Sequence, residues 1–117
     1  MDGNRVGVYA YSNNPTTAVK VSIRDSRAIR NTQFGLLAQT AGGTATLSAR
    51  NNIISNNHIG IAASNPGSKV WASGNTVSNN STGLSNTAGA IFESAGNNAV
   101  RNNDINAFTG IATVPTM

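Results

Sequence analysis

The chain has 117 residues, a net charge of +4, a sequence pI near 10.4 and no cysteine. Only 10% of the residues are charged and 5% are aromatic, which is too sparse for a nucleic-acid-binding surface despite the basic balance. The absence of cysteine excludes disulfides and thiolate metal sites, and no segment reaches the roughly 18 apolar residues of a membrane span. We therefore predict no nucleic-acid partner, no membrane span, no metal and no cofactor.

A phrase recurs four times along the chain. It reads AIRNTQFGLLA from Ala28, IISNNHIGIAA from Ile53, TVSNNSTGLSN from Thr76 and AVRNNDINAFTGIA from Ala99. Aligned on an asparagine, the copies stand at Asn31, Asn56, Asn79 and Asn102, with steps of 25, 23 and 23 residues. A nearly constant period of this length indicates a solenoid. The unbroken repeat predicts one domain over residues 1–117, either by itself or as a fragment of a longer solenoid.

In chain order, each copy alternates apolar and other residues with a period of two, as strands with one buried face require. The strand that follows the asparagine corner has as its predicted inward residues Val6, Val8, Ala10; Phe34, Leu36, Ala38; Ile59, Ile61, Ala63; Thr82, Leu84, Asn86; and Thr109, Ile111, Thr113. A second strand supplies Val21 and Ile23, Ala45 and Leu47, Val70 and Ala72, and Ala90 and Phe92. The shortest strand carries Ile29, Ile54, Val77 and Val100. We predict an all-β fold, a parallel β-helix of about four to five coils with three short strands per coil.

The corners between strands are rich in asparagine and glycine. By parity with the apolar residue two positions earlier, the aligned asparagines are predicted to point inward and to hydrogen bond to one another along the stack. Gly35 and Gly60 each follow their asparagine by four residues, whereas Gly110 follows Asn102 by eight. This spacing predicts an insertion of four residues in the last copy.

The phrases NNIISNNHIGIAA and NTVSNNSTGLSN resemble the right-handed parallel β-helix repeat family, which includes the pectin-lyase-like fold. The resemblance covers the chain from about Val6 to Ile111 and implies a right-handed solenoid. It also implies an extracellular or cell-surface setting, although no signal peptide precedes the repeat. Because this scaffold carries lyases, hydrolases and adhesins alike, the resemblance does not select an activity.

The acidic residues do not form the clusters with which the polysaccharide-cleaving members of that family work. Asp2, Asp25, Glu93 and Asp104 lie far apart in the repeat. A catalytic site built from a histidine, a serine and an aspartate is left as an alternative, since His58 shares its position after the corner with Ser81 and Asp104 in later copies. A histidine beside a serine favours a hydrolase, but the acid stands on the far side of the serine, where it cannot orient the histidine. We therefore retain a site at His58 only as the second hypothesis.

The outward positions are where a solenoid binds its partners. Lys20 in one coil is followed on the same predicted surface by Lys69, Trp71 and Glu93, a set that favours stacking on a sugar ring with hydrogen bonds to its hydroxyls. Alternatively, the corner shifts by one residue there and Trp71 packs beneath a loop. Both arrangements remain open on the sequence.

Another outward surface carries Tyr9 and Tyr11, followed by Leu37 in the next coil. Such a flat, partly apolar patch fits a protein contact better than a small-molecule cleft. Neither end of the repeat shows a capping helix, and uncovered coils favour association, so we predict a homo-oligomer with this surface as its interface. The sequence as a whole favours a non-catalytic module for recognition or assembly, directed toward glycans or a cell-surface partner. The alternative is a small hydrolase or polysaccharide-active enzyme.

Overall fold

The structure, a computed structural model, describes residues 1–108 and 110–114; the predicted inward position Thr109 lies outside them. Within these residues the chain is all-β, without a helix, and its parallel strands stack into a β-solenoid of about four turns, as predicted. Its strands are Val6–Arg24 (β1), Arg27–Ile29 (β2), Phe34–Arg50 (β3), Ile53–Ser55 (β4), Ile59–Ser64 (β5), Ser68–Ser73 (β6), Thr76–Ser78 (β7), Thr82–Thr87 (β8), Ile91–Ser94 (β9), Ala99–Arg101 (β10), Ile105–Phe108 (β11) and Ile111–Thr113 (β12).

Two parallel sheets form the walls of the solenoid. The larger has the order β11-β8-β5-β3-β6-β9-β12, with β1 beside β3, and the smaller has the order β10-β7-β4-β2. Residues 34–39 of β3 pair with β5, whereas residues 45–50 pair with β6. The long strands β1 and β3 therefore each cover two sides of the coil. Separate strands on all three sides, as predicted, occur from β4 onward.

The interior is narrow and is filled by branched side chains with alanines between them. Its largest fully buried apolar side chains are Leu36, Leu47, Ile54, Ile61, Val70, Val77 and Phe92. Burying each of them contributes about 1.5–3 kcal/mol relative to leaving it exposed. The predicted inward sets are confirmed at Leu36, Ile61 and Leu84, although Phe34, Ile59 and Thr82 at their starts are only half-buried. The last set is wrong, because β11 continues this wall whereas Ile111 and Thr113 lie on β12, which pairs with β9.

The buried amide ladder shares Asn31 with the predicted set of asparagines and differs from it at the other three corners. It runs through Asn31, Asn57, Asn80 and Asn103, and each Nδ2 donates to the Oδ1 of the next over 2.8, 3.0 and 3.0 Å. The residues before the last three, Asn56, Asn79 and Asn102, are exposed and have a left-handed backbone with φ of 59°. The prediction is confirmed at Asn31. It is wrong at the other three corners because a left-handed residue turns the chain, so that the residue after it points inward and strand parity does not continue. For the same reason Ala28, not Ile29, pairs with Ile54.

A second ladder, which the sequence analysis missed, lies at the other end of the short strands. Asn52 donates its Nδ2 to Asn75 Oδ1 over 3.0 Å, and Asn75 does the same to Asn98 over 2.9 Å. The two ladders flank the smaller sheet on both sides. They satisfy buried amides that would otherwise each cost about 1–3 kcal/mol.

Glycine is required at one position of every coil that has a coil stacked on it. A Cβ would lie 2.5 Å from the next coil's carbonyl oxygen at Gly7, and 2.6 Å from it at Gly35, Gly60 and Gly83. In the last coil this position belongs to Asn106, since Ile105 pairs with Thr82. The predicted four-residue insertion before Gly110 is therefore wrong: the alignment followed the identity of the glycine, whereas the backbone register follows the strand.

Candidate functional site

The tryptophan face is the outer surface of residues 19–24, 45–50, 68–73 and 91–94. Strand pairing places Trp71 between Ser48 on one side and Glu93 on the other. Its chain neighbours Val70 and Ala72 are buried, so the half-buried indole lies on the outside of the wall. Of the two arrangements that the sequence left open, the structure has the outward one, with no shift of register in this coil.

The tryptophan face carries charges of both signs. Lys69 forms an ion pair with Glu93, with Nζ and Oε1 3.0 Å apart. Lys20 stands in the same row as Lys69, but Thr46 lies between them, so Lys20 is two coils away from it. The structure thus brings three of the four predicted binding residues together and leaves Lys20 at the margin.

A shallow cleft of about 410 Å³ lies beside the tryptophan. It is lined by Ser22, Ile23, Arg24, Ser48, Arg50 and Trp71. Arg24 and Arg50 are paired across adjacent strands, which places two guanidinium groups at one rim of the cleft. The sequence analysis missed Arg50, although its position at the end of a strand one coil after Arg24 was the signal that could have revealed it.

The tyrosine face is the outer surface of residues 6–12, 34–40, 59–64, 82–87 and 105–108, and it contains no charged residue. Tyr9 and Tyr11 are exposed, and their ring centroids lie 5.3 Å apart. Partial burial raises the pKa of Tyr9, and the neighbouring Tyr11 raises it further. Ile105 and Phe108, at the opposite end of this face, are also exposed and were not among the predicted interface residues.

Leu37 differs from its predicted exposure. It lies in the same row as Tyr9, but only 3% of its surface is accessible. It forms the floor of a hollow of about 490 Å³ that is lined by Arg5, Val6, Tyr9, Gln33, Phe34, Leu37 and Gln39. Ala62, its partner in the next coil, is buried to the same extent. Any contact through this region would therefore be made by the tyrosines.

His58, Ser81 and Asp104 stack in consecutive coils, as their register predicts. The amide of Thr82 donates to the His58 carbonyl, and that of Ile105 donates to the Ser81 carbonyl, each over 2.9 Å. All three side chains are exposed, and none of them lines either of the two hollows described above. Asp104 lies beyond Ser81 as seen from His58, so it cannot orient the imidazole.

Within the described part of the chain, no group of three or more His, Asp or Glu side chains is placed to hold a metal ion. None of the described residues forms a helix with the length and apolarity that a transmembrane span requires. Compared with protein-family models, curated proteins and solved structures, the chain matches none of them.

Proposed function

We propose that this chain is a non-catalytic recognition module that binds an acidic saccharide on the tryptophan face. The observation that carries this proposal is the cleft shared by Trp71, Arg24 and Arg50. An indole stacks on the apolar side of a sugar ring, and a guanidinium binds a carboxylate or sulfate through two parallel hydrogen bonds. The cleft, at about 410 Å³, also falls within the range of about 300–1,000 Å³ that is typical of small-ligand sites.

The charges around the cleft favour an acidic ligand over a neutral one. Neither Arg24 nor Arg50 forms an ion pair with a carboxylate of the described residues, whereas Lys69 is paired with Glu93. The charges of the two arginines are therefore available to a ligand. The Lys69–Glu93 pair borders Trp71, and the lysine limits the repulsion between the Glu93 carboxylate and an acidic ligand. Stacking supplies the contact area and the arginines supply the selectivity.

The single tryptophan of the chain makes this proposal testable without a label. We expect oligomers of glucuronic acid to change the Trp71 emission saturably, and oligomers of glucose of equal length to bind at least about tenfold more weakly, because they lack the charge-assisted hydrogen bonds. Arg50→Gln should weaken the response to the acidic oligomers by about tenfold. The matched control is Arg101→Gln, which removes an exposed arginine of the smaller sheet and should change nothing. If neither sugar gives a saturable change, the proposal fails.

We also propose that the chain is a member of the right-handed parallel β-helix proteins. Its support is the recurring phrase together with the parallel stacking of its coils, which follows the spacing of that phrase. The membership implies nothing about catalysis here, since the carboxylates of the chain are scattered over different coils.

Assembly through the tyrosine face is a second function that a specific observation favours. Five neighbouring strands present no charge there, in a chain that is otherwise basic. Five strands of about six residues cover roughly 24 by 20 Å, so two copies would bury roughly 1,000 Å² in total. Stable complexes bury about 1,200–2,000 Å². We therefore propose a weak homo-oligomer that forms with increasing concentration, with Tyr9 and Tyr11 at its contact.

A further inference from the structure

The last coil departs from the others at the glycine position. Four coils have Gly7, Gly35, Gly60 or Gly83 there, and the fifth has Asn106. Glycine is needed at these four positions because the coil stacked on each of them leaves no room for a Cβ. No described coil lies on Asn106, so a side chain has room there, and the side chain present is one that can both donate and accept hydrogen bonds.

Asn106 completes the hydrogen bonding of the amide ladder within its own coil. Its Oδ1 accepts from the backbone amide of Asn103 over 3.3 Å and from the Asn103 Nδ2 over 3.1 Å. One coil earlier, the same two donors of Asn80 bind the Oδ1 of Asn103 over 2.9 and 3.0 Å. The Asn106 oxygen thus takes the place of the oxygen that a further coil would supply.

Asn106 also obstructs the surface on which a further coil would rest. At Gly83, one coil earlier, a Cβ would stand 2.6 Å from the Asn106 carbonyl oxygen and 2.9 Å from the Asn103 Nδ2. Asn106 carries such a Cβ. If the first coil of a second copy were stacked here in the same register, the Gly7 carbonyl would meet that Cβ at a comparably short distance. Contacts this short require the backbone to move.

We propose that Asn106 is a stop residue, which caps the amide ladder and keeps a second copy from stacking its first coil on the last coil of this one. The strand edges of β10, β11 and β12 lie at the ends of their sheets and would otherwise serve as templates for pairing. Such head-to-tail contacts do not close and produce open filaments. Self-association of this chain is thereby directed from its last coil to its lateral faces.

Three substitutions separate capping from obstruction. Asn106→Gly removes both the acceptor and the Cβ, Asn106→Ala removes only the acceptor, and Asn106→Asp keeps both.

Arg5→Cys and Asp104→Cys then report stacking, because these residues hold the same position in the first and last coils. In stacked copies their Cα atoms would lie about 4.8 Å apart, within the disulfide range of about 4.4–6.8 Å. The chain has no cysteine of its own, and the two positions of one molecule are four coils apart.

We expect oxidation to link copies of the cysteine pair carrying Asn106→Gly into dimers and longer chains. The same pair with Asn106 or with Asn106→Ala should give at least about tenfold less linked product, since one overpacked contact weakens association by that order. Thermal unfolding should show a lower midpoint for Asn106→Gly and Asn106→Ala than for Asn106→Asp, because only the last retains a cap.

Two results would overturn the proposal. The first is efficient cross-linking of the cysteine pair with Asn106 in place, a measurement that does not depend on the folding of any position-106 variant. The second is an equal yield from the Asn106→Gly and Asn106→Ala versions of the pair, since the Cβ would then obstruct nothing. Fluorescence of Trp71 with acidic oligomers should be the same in all position-106 variants, so failure here remains distinct from failure of the saccharide site.

Discussion

The tyrosine face and the tryptophan face are two walls of the same coils, and they carry opposite kinds of side chain. The tryptophan face has five charged residues, Lys20, Arg24, Arg50, Lys69 and Glu93, whereas the tyrosine face has none. Both are made of parallel strands that cover one interior of small and branched residues. The repeat therefore constrains the inward positions, and the two outer faces are free to differ. We propose separate tasks for them, with ligand binding on the charged wall and association on the uncharged one.

The largest effect should come from breaking the interior that both faces share. In Gly60→Ala, the new Cβ would meet the Gly83 carbonyl oxygen at 2.6 Å and Val77 Cγ1 at 2.9 Å. We expect a loss of about 3 kcal/mol or more in the free energy of unfolding, measured with denaturant, and the failure of both faces together. The control is Gly42→Ala, whose Cβ would have its nearest contacts at an ordinary 3.5 Å. Equal stability of the two variants would show that coil stacking does not require the glycine.

The next largest effects should separate the two faces. Trp71→Ala should weaken binding of acidic oligomers by at least about tenfold, measured by calorimetry since the fluorophore is lost, and should leave self-association unchanged. Tyr11→Asp, at an exposed position, should abolish self-association in sedimentation and leave sugar binding unchanged. If either variant impaired both activities, the assignment of separate tasks would be wrong.

Leu37→Asp is a useful contrast with Tyr11→Asp. Because Leu37 is only 3% exposed, an aspartate there would bury a charge and should destabilise the whole coil. We expect it to lower the unfolding midpoint well below that of Tyr11→Asp. Equal midpoints would mean that Leu37 is an accessible contact residue, as its sequence position predicts.

Much of the fold could be predicted from the sequence, because inward positions repeat for a physical reason. Ala45, Leu47, Val70 and Ala72 alternate in the sequence, and all four are buried. The corners could not be predicted in the same way. Strand parity fails at a left-handed residue, and nothing in the letters Asn56 and Asn57 says which of the two takes that conformation. The last copy was aligned incorrectly with the others because Asn106 occupies the position that is glycine in the earlier coils.

The candidate site was predictable only in part. Trp71, Lys69 and Glu93 could be placed on one surface from the period of two alone. The spacing of one coil between Arg24 and Arg50 could have placed these two residues side by side. Their place in the same cleft as Trp71 follows from the register between β3 and β6. The burial of Leu37 was likewise not predictable, because it occupies an outward position in the period of two and is only 3% exposed.

A smaller effect is expected at the hypothetical hydrolase site. His58 is exposed and lies outside both hollows, so His58→Ala should change neither sugar binding nor self-association. The same variant should leave any hydrolysis of aryl esters or aryl phosphates at the level of the unaltered protein, and Ser81→Ala is the paired variant. If both variants lost hydrolysis, the hydrolase hypothesis would be supported, and the chain would have a third function besides those of its two faces.

The smallest effect concerns the first coil, which carries the tyrosines but not Trp71. The hydrogen bond from Arg30 lowers the pKa of Asp2 from its usual value of 3.8, and the Arg30 Nε lies 3.0 Å from Asp2 Oδ1. A carboxylate with a lowered pKa contributes stability that is complete above 3.8 and is lost as the pH falls through the folded-state value below it. Asp2→Asn should therefore be slightly less stable than the unaltered protein at neutral pH, and the difference should vanish in strong acid.

Hydrogen exchange can locate that effect, since the Ile29 amide donates to the Met1 carbonyl over 2.9 Å beside the ion pair. We expect this amide to exchange faster in Asp2→Asn at neutral pH, and self-association through Tyr9 and Tyr11 to weaken with it. Glu93→Gln, which removes the ion pair with Lys69, should leave the Ile29 amide unaffected. Equal protection of that amide in Asp2→Asn and in the unaltered protein would mean that the ion pair does not stabilise the first coil. The two faces would then not differ in local stability, just as they share one interior.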